Sequence, residues 1–309
     1  MKLSNKSFWL KSIAIALGLT FTFAASAQEL PSPRATQTVE GGGGVQLAVQ
    51  KWGNPDGRPI VFVHAFVSSH LGYLPIVAGG PVADNFNLIT FDNRGHGNSE
   101  KPTDLAAYQS GQLLADDLAA VIKLAGDQKP IIVAWSIGGV ILDDYLAAYG
   151  DENIAGAVYL GAGHTLGEHA KAYIAEGFAQ YAPGIMSPDL ATNVAATIGV
   201  TVENTAQPLP PEMFTAAVAT AMVVPLEARA GLISRPVNHI KDTLPNVTVP
   251  LRFLHGTADR IVRPSSSADA AAAAPNAKLV EIEGIGHVPA FEAPGEVIAA
   301  IMEIAEVTK

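Results

Sequence analysis

Cysteine is absent from all 309 residues, which removes disulfide frameworks, thiolate metal sites, iron–sulfur clusters and cysteine nucleophiles together. Charge is scarce as well. Only 16% of residues are charged, and 19 basic against 29 acidic residues leave a net charge of −10 at pH 7. A surface of that sign repels polyanions, so nucleic acid is not an expected partner. Disorder and fibrous classes are excluded too, because 49% of residues are hydrophobic and a chain of this length can bury a large core.

The N-terminus carries its own signal. Lys2, Lys6 and Lys11 precede a 13-residue apolar run, Ile13 to Ala25, and small residues follow in Ala25-Ser26-Ala27. A basic start, a short apolar centre and small residues predict a secretory signal cleaved before Gln28. The run is too short to span a bilayer comfortably, so the expectation is a secreted or periplasmic protein without stable membrane insertion after cleavage. Residues 1–27 hold three lysines and no acid, so the processed chain would carry −13.

Beyond this segment, VQLAVQKW places Val45, Leu47 and Val49 on one face, as an outer half-buried strand would. The later apolar runs do not alternate: IVFV at 60–63, LITF at 88–91, IIVA at 131–134, AVYL at 157–160 and LRFL at 251–254. Such runs imply strands buried on both faces. Helical spacing between them, as in Leu114, Leu118, Val121 and Ile122, predicts an α/β fold whose mostly parallel sheet is flanked by helices. The alternation lapses over 163–247, an alanine-rich stretch read as a helical cap inserted between two parts of one core, 28–162 and 248–309. Gly41 to Gly44 lack the lysine of a phosphate loop and are read as a linker.

Ligands collect at the carboxyl ends of parallel strands, so the residues after each run matter most. After IIVA comes Trp135-Ser136-Ile137-Gly138-Gly139 and then a helical run, so a serine sits at a strand-to-helix turn between small residues, as in a nucleophile elbow. A serine hydroxyl needs a base and a group to orient that base. Asp259 follows the strand LRFL, and His287 follows KLVEIEGIG. His164 and His169 are five apart, which is wrong for two ligands on one helical face, and no metal is expected.

These residues, in the order Ser, Asp, His, resemble the α/β-hydrolase family over nearly all of 45–305. VHAF at 63–66 resembles that family's oxyanion loop and FDNRGHGNS at 91–99 its structural turn. The resemblance implies that Ser136 is the nucleophile, His287 the base and Asp259 the orienting acid. It also implies that the N–H groups of Phe66 and Ile137 form the oxyanion hole, with His64 supporting the loop and Asp92 bracing Arg94. Ala65 stands where glycine is usual; were a left-handed backbone required there, its methyl would cost on the order of 1 kcal/mol. His64, Trp135, Met186, Met213 and Phe214 are candidate pocket residues.

The expected function is hydrolysis of carboxylic esters or lactones with a small to medium apolar acyl group, without a cofactor. Two alternatives remain. One is a cofactor-free haloperoxidase or perhydrolase, similar in the W-S-x-G-G stretch but commonly with proline where Val67 stands. The other is a binding protein on a hydrolase scaffold.

Overall fold

The computed structural model describes residues 31–309; the expected signal segment lies outside the described residues. Eight strands form one sheet: β1 (Ala35–Glu40), β2 (Gln46–Gly53), β3 (Arg58–Val63), β4 (Phe86–Phe91), β5 (Ile131–Trp135), β6 (Gly156–Leu160), β7 (Leu251–Gly256) and β8 (Ala277–Ile282), in the order β1-β2-β4-β3-β5-β6-β7-β8. β1 and β2 pair antiparallel, as do β2 and β4; the other neighbours are parallel. The strand expected at the sheet's outer side, β2, is therefore second, with β1 at the edge. ATQTVE offers one large apolar residue, Val39, and its side chains are almost all exposed, so no periodicity announces it.

The non-alternating runs are explained by helices on both faces. The longer helices are α1 (Gly111–Ile122), α2 (Ile137–Tyr149), α3 (Leu190–Glu203), α4 (Pro211–Met222), α5 (Leu226–Ile233), α6 (Ser265–Ala273) and α7 (Pro294–Val307). Val61, Val63, Ile132 and Ala134 pack with residues of α1, α2 and α6 on one face. Ile60, Phe62, Ile131 and Val133 pack with Val297, Ile301 and other apolar groups on the opposite face. Each such valine or isoleucine contributes about 1.5–3 kcal/mol by leaving water.

Helices α3, α4 and α5 lie between β6 and β7, where the strand–helix alternation lapses. The two ends of this segment meet: Leu166 N–H donates to Val237 O at 3.0 Å and His239 N–H to His164 O at 3.0 Å. Two buried aspartates of α2 hold them there. Asp143 pairs with His164 Nδ1 at 2.7 Å, and Asp144 accepts from Arg235 Nη2 at 2.7 Å. No single helix among the described residues is long and apolar enough to cross a membrane.

The tetraglycine is not a linker. Gly42–Gly44 form a 3-10 turn against α1, in which Gly42 N–H donates to Asp117 Oδ1 at 2.8 Å and Gly42 O accepts from Arg94 Nη2 at 2.8 Å. Arg94 and Asp117 are themselves a buried two-pronged pair, at 2.6 and 2.7 Å. Arg94 is thus held by Asp117 and not by Asp92, as the family turn suggested. A methyl on Gly42 would meet Leu113 O at 2.5 Å and Asp116 Cβ at 2.8 Å. Gly42→Ala is therefore expected to destabilise the fold by about 1–3 kcal/mol, read as a lower urea midpoint; an unchanged midpoint would restore the linker reading.

Candidate active site

Parallel pairing of β3 with β5, with Val63 opposite Ala134, brings the loops after both strands to one end of the sheet. β6, β7 and β8 end there too. Ser136 leaves β5 at φ 57° and ψ −121° and opens α2. Such a backbone costs a non-glycine residue about 1–3 kcal/mol, and its surroundings enforce it. Ser136 N–H donates to Leu160 O at 3.0 Å, and Gly163 N–H donates to Ser136 O at 3.1 Å. A side chain on Gly138 would collide with Val63 O, and one on Gly139 would meet Ala162 Cβ and Gly163 O at 2.8 Å. The small residues after the serine are there because α2 starts pressed against neighbouring strand ends.

Ser136, His287 and Asp259 meet. His287 Nε2 lies 2.9 Å from Ser136 Oγ, and its Nδ1 lies 2.7 Å from Asp259 Oδ2. In this geometry the hydroxyl donates to Nε2 while Nδ1–H donates to the carboxylate. All three are covered, with exposures of 7% for Ser136, 2% for His287 and 7% for Asp259. Burial alone would push the Asp259 carboxyl up; the charge of His287 and hydrogen bonds from His255 and His287 outweigh it and hold it well below the usual carboxylate range. Gly161, at φ 49°, passes so close that a Cβ there would sit 3.2 Å from His287 Nδ1 and 3.3 Å from Asp259 Oδ2.

The N–H groups of Phe66 and Ile137 have no hydrogen-bond partner among the described residues. Phe66 and Val67 pack against the core that contains Ile137. Ala65 is not in the left-handed region, so its methyl carries no such strain. Val67 is, at φ 47°, and it shares that property with Ser136 alone among the described non-glycine residues. Ala65 O accepts Ser68 N–H at 3.3 Å across this turn.

His64 does not line a pocket: it is fully buried beneath the loop. Its Nδ1–H donates to Ala65 O at 2.8 Å, and its Nε2 accepts Asn93 N–H at 2.9 Å. Trp135 is likewise core and not pocket wall. Its indole packs on the α7 face, and Nε1–H donates to His287 O at 2.7 Å, bracing the histidine loop from behind. Met186 does join an apolar cluster with Phe66, Phe178, Tyr181 and Val262 around buried Ile185, Ala196, Val200 and Ile261. Met213 and Phe214 are half-buried on α4 and stand outside it.

Several contacts escaped sequence reasoning. Asp92 accepts His70 N–H and Nδ1 at 2.9 Å and Asn98 N–H at 2.9 Å, tying the loops after β3 and β4 together. Glu292 accepts Gly286 N–H at 3.0 Å and Val288 N–H at 3.2 Å, clamping the residues beside His287. It also accepts Ala206 N–H at 2.8 Å, while His287 N–H donates to Asn204 O at 2.7 Å. The His287 loop is thus fastened to the segment between β6 and β7. The FEAP stretch at 291–294 carried no signal of this beyond an acid near the histidine. His164, which the sequence weighed only as a metal ligand, is the buried partner of Asp143, and His96 and His239 are buried as well. No group of three or more His, Asp or Glu side chains among the described residues is arranged to hold a metal.

The comparisons agree with this fold. The chain belongs to the α/β-hydrolase fold family, whose model matches residues 58–294. A structure described as a putative aryl esterase from Burkholderia cenocepacia is 32% identical, with a TM-score of 0.82, covering 89% of this chain and 99% of its own. The esterase RhEst1 from Rhodococcus sp. ECU1013 is 28% identical, with a TM-score of 0.78 and coverages of 89% and 99%. A curated relative, the "Probable oxidoreductase EphD" of Mycobacterium tuberculosis, is 36% identical over 115 residues; the match takes in 36% of this chain and 18% of that protein's length.

Burial holds His64 down to about 4, against the opposing charge of Asp92. Protonating Nε2 would also set a proton against the Asn93 N–H. The unfolded chain takes up this proton first, near pH 6.5, so the stability supplied by neutral His64 is complete above that pH. It is lost as pH falls to about 4, a loss of about 3 kcal/mol. Urea midpoints between pH 7 and 4 should fall accordingly, and His64→Gln, which keeps an acceptor but cannot titrate, should flatten that fall. Equal slopes in both proteins would contradict the assignment.

Proposed function

We propose that this chain is a serine hydrolase that cleaves carboxylic esters or lactones bearing a small to medium apolar acyl group. One observation carries the reading: Ser136 Oγ, the His287 imidazole and the Asp259 carboxylate form one hydrogen-bonded line at the carboxyl end of the sheet. The apolar cluster around Phe66 and Met186 supports an apolar acyl group, and the two esterase-described structures support ester chemistry over the many other activities that this fold hosts.

In the proposed reaction Ser136 Oγ attacks the acyl carbonyl as His287 Nε2 takes its proton, and Asp259 holds the imidazole tautomer and stabilises the imidazolium. The unpartnered N–H groups of Phe66 and Ile137 receive the oxyanion, each being worth roughly 3–4 kcal/mol in the transition state. Collapse expels the alcohol with the proton from His287. Water activated by the same histidine then releases the acid. None of these steps calls on a cofactor. The haloperoxidase alternative fits less well, because Val67 at φ 47° occupies a backbone conformation closed to the proline common in that branch.

Ser136→Ala should lower turnover of p-nitrophenyl esters by about 10⁶-fold, and a fluorophosphonate should label the native chain at Ser136. More than a tenth of native activity in the variant would refute the role, and a native chain that neither labels nor turns over would favour the binding-protein reading. Export rests on the N-terminal pattern. Mass spectrometry of the protein from the culture medium or periplasm should find Gln28 first, and an intact Met1 would overturn it.

A further inference from the structure

The acid of the proposed triad serves two histidines. Asp259 Oδ1 accepts the N–H groups of Ile261 at 2.8 Å and Val262 at 3.0 Å. Its Oδ2 accepts His287 Nδ1–H at 2.7 Å, and His255 Nε2 lies 3.1 Å from that same oxygen. A carboxylate has about four acceptor positions; three are taken by these hydrogen bonds, and the His255 ring nitrogen closes on the fourth. His255 is fully buried near the end of β7. Its Nδ1 lies 2.7 Å from the Oγ of Ser267, a fully buried residue of α6, and its Nε2 is also 3.0 Å from Val262 O.

These contacts fix the tautomer. Nε2 faces a carboxylate oxygen and a carbonyl oxygen, so it must carry the proton, and Nδ1 then accepts from the Ser267 hydroxyl. That hydroxyl has no other partner among the described residues. Ser267, His255 and Asp259 therefore mirror Ser136, His287 and Asp259 about one shared oxygen, except that the Ser267 arm is sealed from solvent. Since two backbone N–H groups already hold Oδ1, the second histidine is not needed to keep the carboxylate in place. What it changes is Oδ2, whose direction and negative charge it shares with His287.

We propose that His255, held in one tautomer by Ser267, is a positioning residue for this chemistry: it aims Asp259 Oδ2 and takes up part of its charge, and so tempers the basicity of His287. The inference rests on the proposed roles of Ser136, His287 and Asp259. Without the His255 donor, the full charge of Oδ2 falls on His287, the imidazolium gains stability, and the base stays protonated to higher pH. Other charged groups around these loops are engaged elsewhere. Arg260 pairs with Glu203 at 2.7 Å, Arg263 donates to Ala172 O, Asp269 accepts from Tyr173, and Glu292 takes the N–H groups beside His287. Glu281, opposite His255 in the β7–β8 register, is exposed. None of these six is hydrogen-bonded to either imidazole among the described residues.

The test is the pH dependence of kcat/KM on a p-nitrophenyl ester for the native chain, His255→Leu, His255→Gln and Ser267→Ala. His255→Leu should move the acid limb upward by about one unit, so that kcat/KM below the limb falls about tenfold while the plateau is nearly kept. His255→Gln, whose amide N–H can take the place of Nε2–H, should leave the limb near its native position. Ser267→Ala should move it upward by less than leucine does. A merely structural role would lower the plateau without moving the limb, and that result overturns the proposal, as does an equal shift in the leucine and glutamine variants. If the leucine variant does not fold, an unmoved limb in Ser267→Ala overturns it alone. Ser136→Ala run in parallel separates the two readings. Undiminished activity there removes the triad itself and this inference with it, whereas Ser136-dependent activity with unmoved limbs defeats only the role of His255.

Discussion

The Asp259 carboxylate is the constraint from which the site is built. A buried anion is stable only where donors replace the water it has lost, and four do so here, two from the backbone just after it and two from histidines. Meeting that demand draws the loop after β7 into a tight turn and orients His287, which in turn reaches Ser136. The loop carrying His287 is held from behind by Trp135 and from the side by Glu292 and Asn204. The imidazole is thus fixed by contacts that themselves take no part in proton transfer.

Strain is concentrated where this arrangement meets the loop after β3. Ser136 and Val67 are the two described non-glycine residues in the left-handed region, one at the end of β5 and the other just after β3, on neighbouring strands. Such conformations persist only when the surroundings over-determine them. At Ser136 this is done by backbone bonds to Leu160 and Gly163 and by the close approach of Gly138, in the first turn of α2, to Val63 and His64. At the loop after β3, His64 lies beneath, satisfied by Ala65 O and the Asn93 N–H. Hence a fully buried histidine beside the site serves as a peg and not as a ligand group.

Much of this was legible in the sequence because the information is local. Near-continuous apolar runs marked β3 to β7, and Ser136, Asp259 and His287 each stand within a few residues of a strand's end, so parallel pairing alone delivers them to one place. What was not legible depends on partners far along the chain. Gly41 to Gly44 look like a linker until Arg94 and Asp117 close on Gly42. Asp92 was matched with Arg94 by family pattern, whereas it binds His70 and the Asn98 N–H. Ala65 drew attention for a strain that sits two residues later, at Val67, because a residue type does not reveal its own φ. His64 and Trp135 are motif neighbours of the site, but proximity in sequence did not reveal that their side chains turn into the core. The edge strand β1 lacks the apolar alternation that would have announced it.

The central claim is that Ser136 becomes covalently acylated. Its most direct test is mass spectrometry of the native chain quenched in acid during turnover of an activated ester, followed by peptide mapping. The account predicts an acyl adduct on the peptide that contains Ser136, forming as fast as the first equivalent of alcohol is released. Turnover with no adduct, or with the acyl group on another residue, would contradict it.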